Sequence, residues 1–207
     1  MLKNKQKCDT ISSMKAINRM FPSRTRVNVS SIHIKQRLTE MIFFVNEPIS
    51  MQGISFEFEQ LPFNVYSCED AATAKGISLH EELKSLVLRI VPQNEKATLN
   101  DLCILHLPGD KMADLRAVKR DIKKHFNSDE AYLAYDTDLK LLGVAHGAVC
   151  PFLDKIWELT HLISEDLLDI KRVSTNSGRF NSCIYFHPNT LLKSPRYIIG
   201  NYSKQAE

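Results

Sequence analysis

The stretch "HEELKSLVLRI", His80 to Ile90, decides how this chain is read. As a strand, its alternation puts Lys84 in one row with Leu86, Leu88 and Ile90. A row that faces a core is a costly place for an ammonium group, because a buried charge without a partner is expensive. Two readings follow. Lys84 is a strand-end lysine with a buried stem and a solvated head, or it is a cation in a pocket, available to a phosphate or a developing oxyanion.

The neighbouring segments supply the rest of a sheet. "DLCILHL", Asp101 to Leu107, is a second apolar run, separated from the first by the polar "PQNEKATLN". That connection is too short for a helical crossover, so the two strands are expected to be antiparallel. Upstream, "ISFEFEQL" alternates Ile54, Phe56 and Phe58 against Ser55, Glu57 and Glu59, a strand with one wet face. "SCEDAATAKGI" reads as a short helix, capped by Ser67 with Asp70 and stopped by Gly76.

Downstream, "GDKMADLRAVKRDIKKHF" turns at Gly109–Asp110 and runs as a helix from about Asp114. Leu115, Val118, Ile122 and Phe126 fall on its inner face, and Lys119, Arg120, Lys123 and Lys124 on the outer one. "DTDLKLLG" is a short helix ended by Gly143, "HGAVCPF" a loop, "IWELTHLIS" and "CIYFHP" strands, and "SEDLLDI" and "PNTLLKSP" short helices. Near the start, Ile34, Leu38, Met41 and Val45 recur at helical spacing up to Pro48, after "FPSRTRVNVSS", which reads as linker. The order predicts an α+β fold, a single domain around a mixed central sheet flanked by helices.

At 207 residues, 43% hydrophobic and 25% charged, the chain has the composition of an ordinary globular domain. No apolar run approaches the roughly 18 residues of a membrane span. The N-terminus lacks the apolar region of a secretory signal, although its Ser/Arg content also fits a transit peptide. The five cysteines are scattered without a C-x-x-C pair, so reduced thiols and a cytoplasmic location are expected, with no zinc knuckle or disulfide framework. Charge is unevenly spread. Residues 1–37 carry nine Lys/Arg and one acid, while the remaining 170 carry 18 Lys/Arg against 23 acids. That basic arm is either a hook for nucleic acid or a solvated tail.

None of the standard catalytic strings is present: no G-x-S-x-G, P-loop, H-E-x-x-H or G-x-G-x-x-G. The histidines never fall in metal-ligand spacing, and no metal or cofactor is expected. Cys150 has His146 and His161 as candidate bases, yet a free cysteine equally reads as a small buried hydrophobe. Asp114 reads as a helix N-cap and Asp110 as a turn residue. The loops "HGAVCPF" and "STNSG" let the backbone approach a ligand, with amides able to hold a carbonyl or phosphate oxygen, or they are ordinary turns.

Taken together, "AATAKGIS", "EELKSLVLR", "CILHLPGDKMADLRAVK", "GAVCPF", "LISEDLL", "VSTNSG" and "IYFHPNTLL" resemble, in order and over about residues 50–193, the YbaK/prolyl-tRNA synthetase-associated domain family. The resemblance implies an α+β fold around a mixed, partly barrel-like sheet. It also implies a deacylase that hydrolyses the ester joining a wrong amino acid to a tRNA, with the acceptor end of an aminoacyl-tRNA as substrate and a synthetase as a further partner. The family's strand lysine falls on Lys84, its carbonyl-facing loop on Gly147 and Ala148, followed by Val149 and Cys150. Its later glycine loop falls on Ser174, Asn176, Ser177 and Gly178, and its "GD…DL" segment on Gly109, Asp110, Asp114 and Leu115. Cys150 stands where serine or proline is more usual, and Asn181 and Ser182 lie near a position where some members carry an acid.

The implied organisation is a basic arm over 1–30, an editing domain over 31–195 and a C-terminal tail over 196–207. Hydrolysis of an activated ester needs positioning and oxyanion stabilisation more than a strong nucleophile, which suits a chain with no triad and no metal. Selectivity for a small amino acid would come from pocket size. The alternative is a catalytically silent module that binds tRNA or protein on the same fold.

Overall fold

The computed structural model describes residues 25–28, 54–91, 101–128 and 130–205. The helix expected from Ile34 to Val45, and most of the basic arm, lie outside the described residues.

Among the described residues three sheets carry the fold, and none closes into a barrel. The largest is built on β3 (Leu83–Ile90) and β4 (Leu102–Pro108), which pair antiparallel as expected, with Lys84 opposite Leu107 and Ser85 opposite His106. β6 (Ala131–Leu133) extends the β3 edge over Leu88–Ile90, while β7 (Thr160–Ser164) and β10 (Tyr197–Gly200) add parallel strands beyond β4. The second sheet has the order β1 (Thr25–Asn28), β2 (Ser55–Gln60), β9 (Ser182–Phe186), β8 (Val173–Asn176), all antiparallel. β5 (Lys111–Ala113) and β11 (Ser203–Gln205) form a two-stranded ribbon.

Several segments differ from the sequence reading for local reasons. Thr25–Asn28, inside the stretch read as linker, pairs along β2. "IWELTHLIS" divides, since Ile156 and Trp157 end the short helix α4 (Asp154–Trp157) and only Thr160–Ser164 is strand. Val173–Asn176 is strand because it pairs with β9. The stretch from 196, expected as a tail, supplies β10 and β11, since Tyr197–Gly200 find an open parallel partner in β7.

Every residue of β4 is buried, which requires two cores. Leu83, Val87, Ile104 and Ile163 face the second sheet and meet Phe56, Val173, Ile184 and Phe186. Leu88, Ile90, Cys103, Leu105 and Leu107 face the other way and are covered by Ala117, Val118 and Ile122 of α2 (Leu115–Phe126). The row containing Lys84 therefore does face a core, the one under α2, with the lysine at its open end. Asp114 caps α2 through the amides of Arg116 and Ala117, as its position predicts.

Two further helices border the cleft between the sheets. α1 (Cys68–Lys75) starts at Ser67, whose hydroxyl accepts from the Asp70 amide, and ends at Gly76, where φ is +64°. α3 (Asp136–Leu142) stops at Gly143 and is tied to β3 by Arg89, which donates through two nitrogens to Asp138. That contact holds the Asp138 carboxyl below its ordinary range, while Asp138 also accepts from the Tyr135 amide. α5 (Glu165–Leu168) and a 3-10 turn over Pro188–Lys193 match the expected short helices.

Candidate functional site

The strand pairing of β3 leaves a gap. β6 covers only Leu88–Ile90, the Ala134 amide donates to the Val87 carbonyl, and at the other end Glu82 bridges to Ser174 of β8. Between them, among the described residues, no strand pairs the outer edge of Leu83–Ser85. The gap opens a cleft of about 380 Å³, within the size range of small-molecule sites.

Of the residues expected at a site, Lys84, Gly147, Val149 and Asn176 line this cleft together. Gly147 has φ +78° and its Cα faces the Phe180 ring and the Tyr66 carbonyl. Lys84 is half-buried, and its Nζ donates to the Lys111 carbonyl at 2.8 Å.

The other expected residues stand behind the wall and brace it. Ala148 is buried, and its amide is spent on the Ala145 carbonyl at 3.0 Å, so the turn holds Gly147 at the surface of the cleft. Cys150 is fully buried among apolar residues, and burial pushes its thiol up to about 12, which excludes a thiolate nucleophile at neutral pH. Ser174 accepts from Lys75 at 2.8 Å, Ser177 pairs with Ser182 at 2.5 Å, and the Gly178 amide donates to Asn176 Oδ1 at 2.9 Å. Gly109 packs where a Cβ would come within 2.6 Å of the Leu79 carbonyl oxygen. Asp110 accepts from His80 Nδ1 at 2.9 Å, fastening the start of β3 to the β4–β5 turn.

Sequence reading missed three parts of the cleft. The segment before α1 forms one wall, with Tyr66 exposed at its rim and tilted against Phe180, ring centroids 4.8 Å apart. Cys68 lies on the same wall, and burial, reinforced by Glu82, raises its thiol. Glu82 lies at the junction of the sheets, ion-paired with Lys75 in a nearly dry setting. Burial outweighs the pull of Lys75 and raises the Glu82 carboxyl to about 7.

The third part is a buried polar chain. Ser85 lines the cleft, and its Oγ lies 3.0 Å from His106 Nδ1. His106 Nε2 lies 2.9 Å from His161 Nδ1, and His161 Nε2 donates to the Ile156 carbonyl at 3.2 Å. Both imidazoles are completely buried. Burial drives His106 well below 6.5 and His161 down to about 4, so both are neutral at physiological pH. No spacing in the sequence links residues 85, 106 and 161. Only the register, Ser85 opposite His106 and Ile104 opposite His161, brings them together.

Among the described residues, no group of three or more His, Cys, Asp or Glu is placed to hold a metal ion, and no helix is long and apolar enough to cross a membrane.

Residues 63–193 match a family model described as the aminoacyl-tRNA editing domain. A solved structure described as a candidate trans-editing enzyme for prolyl-tRNA synthetase superposes with a TM-score of 0.62 at 19% identity, covering 84% of this chain and 99% of the other. The hypothetical protein APE2540 superposes with a TM-score of 0.61 at 20% identity, covering 81% and 99%. At such identities these likenesses concern the fold. No curated protein matches the chain.

Proposed function

This chain belongs to the aminoacyl-tRNA editing domain family, and from that premise we propose that it is a trans-acting deacylase, hydrolysing the ester of a mischarged tRNA. The observation that carries this reading is the meeting of Lys84, Gly147 and Asn176, from three distant segments, on the wall of one cleft. The acyl group would be a small amino acid, admitted where a larger, correct one is excluded by size. The description of the similar trans-editing structure favours the tRNA of proline as its carrier. The acceptor end of that tRNA is the partner, with a synthetase as the source of the mischarged product and the cytoplasm as the place of action.

In this mechanism water, or a hydroxyl of the terminal ribose, attacks the ester carbonyl. The thiols of Cys68 and Cys150 are poor nucleophiles, since burial holds them protonated, and His106 and His161 are weak bases, since burial disfavours their protonated form. Lys84 supplies positive charge to the terminal nucleotide or to the developing oxyanion, and the backbone at Gly147 borders the carbonyl. With the Ala148 amide already engaged, the clamp falls to Gly147. The exposed rim residue Tyr66 offers a stacking face to the terminal base. The basic surplus of residues 1–37 and the outer face of α2, with Arg120, Lys123 and Lys124 exposed, suit the phosphates of the acceptor stem.

A panel of mischarged tRNAs tests the proposal. The full chain is expected to release small amino acids faster than large ones. Binding without release from any member of the panel would leave a silent tRNA-binding module and sink the deacylase reading.

A further inference from the structure

The polar chain behind Ser85 has only one consistent direction. Its inner end is the Ile156 carbonyl, which can only accept, so His161 carries its proton on Nε2. A neutral His161 then has an accepting Nδ1, and His106 must donate to it from Nε2. A neutral His106 in turn accepts at Nδ1, and the partner 3.0 Å away is the Ser85 hydroxyl, which must donate. The single proton of Ser85 is thus turned into the protein, and what its oxygen has left for the cleft is lone pairs. The dry surroundings fix this polarity, because charging either imidazole would bury a cation whose partners, among the described residues, are Ser85, the other imidazole and a backbone carbonyl.

An oxygen that can only accept calls for a donor in the ligand. In an aminoacyl ester the strongest donor is the protonated α-amine, next to the scissile carbonyl. We propose that Ser85 is the acceptor for the substrate's α-ammonium group, with His106 and His161 as positioning residues that lock its hydroxyl. This inference rests on the deacylase reading and deepens it, since it makes the cleft selective for an acyl group bearing a free amine.

Geometry also resembles a nucleophile beside a base, with the proton of Ser85 already directed at His106. That role would require His106 to hold a full charge beside His161 Nδ1, with no carboxylate among its partners in the described residues. Acceptance of the ammonium requires no proton transfer.

Two measurements test the inference by different routes. The first compares binding of two non-hydrolysable probes by calorimetry, 3′-alanylamino-3′-deoxyadenosine and its propionyl counterpart, which lacks only the amine. The full chain is expected to prefer the amine-bearing probe by about 10- to 100-fold, the range for one hydrogen bond to a charged group. Ser85→Ala should erase the preference, and Ser85→Thr should keep most of it. Equal affinity of wild type for the two probes, or a preference that survives in Ser85→Ala, would overturn the inference while leaving deacylation intact. Binding of neither probe, together with no release from the tRNA panel, would bring down the deacylase reading and the inference with it.

The second measurement records long-range ¹H–¹⁵N correlations of the histidine rings. His106 and His161 should both be protonated at Nε2 alone, whether or not the chain is an enzyme. Protonation of His106 at Nδ1 would make Ser85 accept from the protein and reverse the polarity on which the inference stands. Accumulation of an acyl-Ser85 adduct on rapid quenching would also overturn it, in favour of a nucleophile.

Discussion

Replacing Lys84 by methionine keeps the apolar stem and removes only the charge. Among the described residues that ammonium makes one hydrogen bond, to the Lys111 carbonyl, from a half-buried position at the open end of its row. Its loss should therefore cost about 1 kcal/mol of stability, or roughly 2–4 °C in Tm for a domain of this size. If the same charge serves the substrate, the kinetic loss is much larger. Removing one group aimed at a developing oxyanion costs about 10²- to 10³-fold, or about 3–4 kcal/mol. Paired deacylation kinetics and urea unfolding separate the two effects, and the form of the kinetic loss assigns the job. A lysine that steadies the oxyanion lowers kcat with little change in KM. A lysine that grips the nucleotide raises KM and reduces the salt dependence of tRNA binding by about one phosphate contact. A rate loss under about fivefold, or one matched by the unfolded fraction, would refute Lys84 as the site cation.

Three other substitutions probe the frame of the cleft. Gly147→Ala makes only ordinary contacts, with Phe180 3.6 Å away, but at φ +78° it should cost about 1–2 kcal/mol and lower deacylation together with Tm. Unchanged melting would show that the turn relaxes. Gly109→Ala drives a Cβ to within 2.6 Å of the Leu79 carbonyl, and overpacking of about 1–3 kcal/mol should lower Tm by roughly 2–12 °C. A wild-type melting curve would disprove that close approach. For Glu82 the folded value of about 7 lies above the ordinary carboxylate range, so the folded state holds the proton more tightly. Its contribution is full below the unfolded value of about 4.5 and is lost as pH rises through about 7, by roughly 3 kcal/mol at most. Urea unfolding from pH 4 to 8 should show this decline in wild type and a flatter curve in Glu82→Gln, whereas parallel curves would place the titration elsewhere.

The parts of the fold that were legible in the sequence are those with a short-range cause. Ser67 and Gly76 bound α1, Asp114 starts α2 and Gly143 ends α3, because caps act within a turn of the residue that makes them. Strand pairing acts at long range, and a local stretch of sequence does not carry it. Nothing within "VSTN" shows that Ser182–Phe186 will pair with it, and nothing within "YIIG" shows that β7 lies open beside it. The site divides in the same way. Lys84 stood out because a charge interrupted an apolar row, and Gly147 because a glycine precedes a proline-containing loop. Ser85 raised no such signal, since serine is unremarkable beside a lysine and its two histidines arrive on other strands.

Five buried or half-buried titratable groups on or behind the wall of the cleft share one tendency, and it constrains the chemistry they can do. Burial raises the thiols of Cys68 and Cys150, raises Glu82 and lowers His106 and His161, so each is pushed toward its neutral form. A site that relied on a thiolate or on an imidazole base would need the opposite, a partner that stabilises the charged form near neutral pH. An aminoacyl ester brings its own activation, so what this cleft must supply is placement. Neutral groups of fixed polarity do that without reorganising as the reaction proceeds. The gap in the β3 edge then has a physical role. It leaves Lys84 and Ser85 both on the lining of the cleft, a cation and an acceptor whose side chains leave the strand on opposite faces. A ligand carrying an oxygen to be held and an amine to be accepted is matched to that pair, and a ligand lacking the amine leaves the Ser85 oxygen unsatisfied.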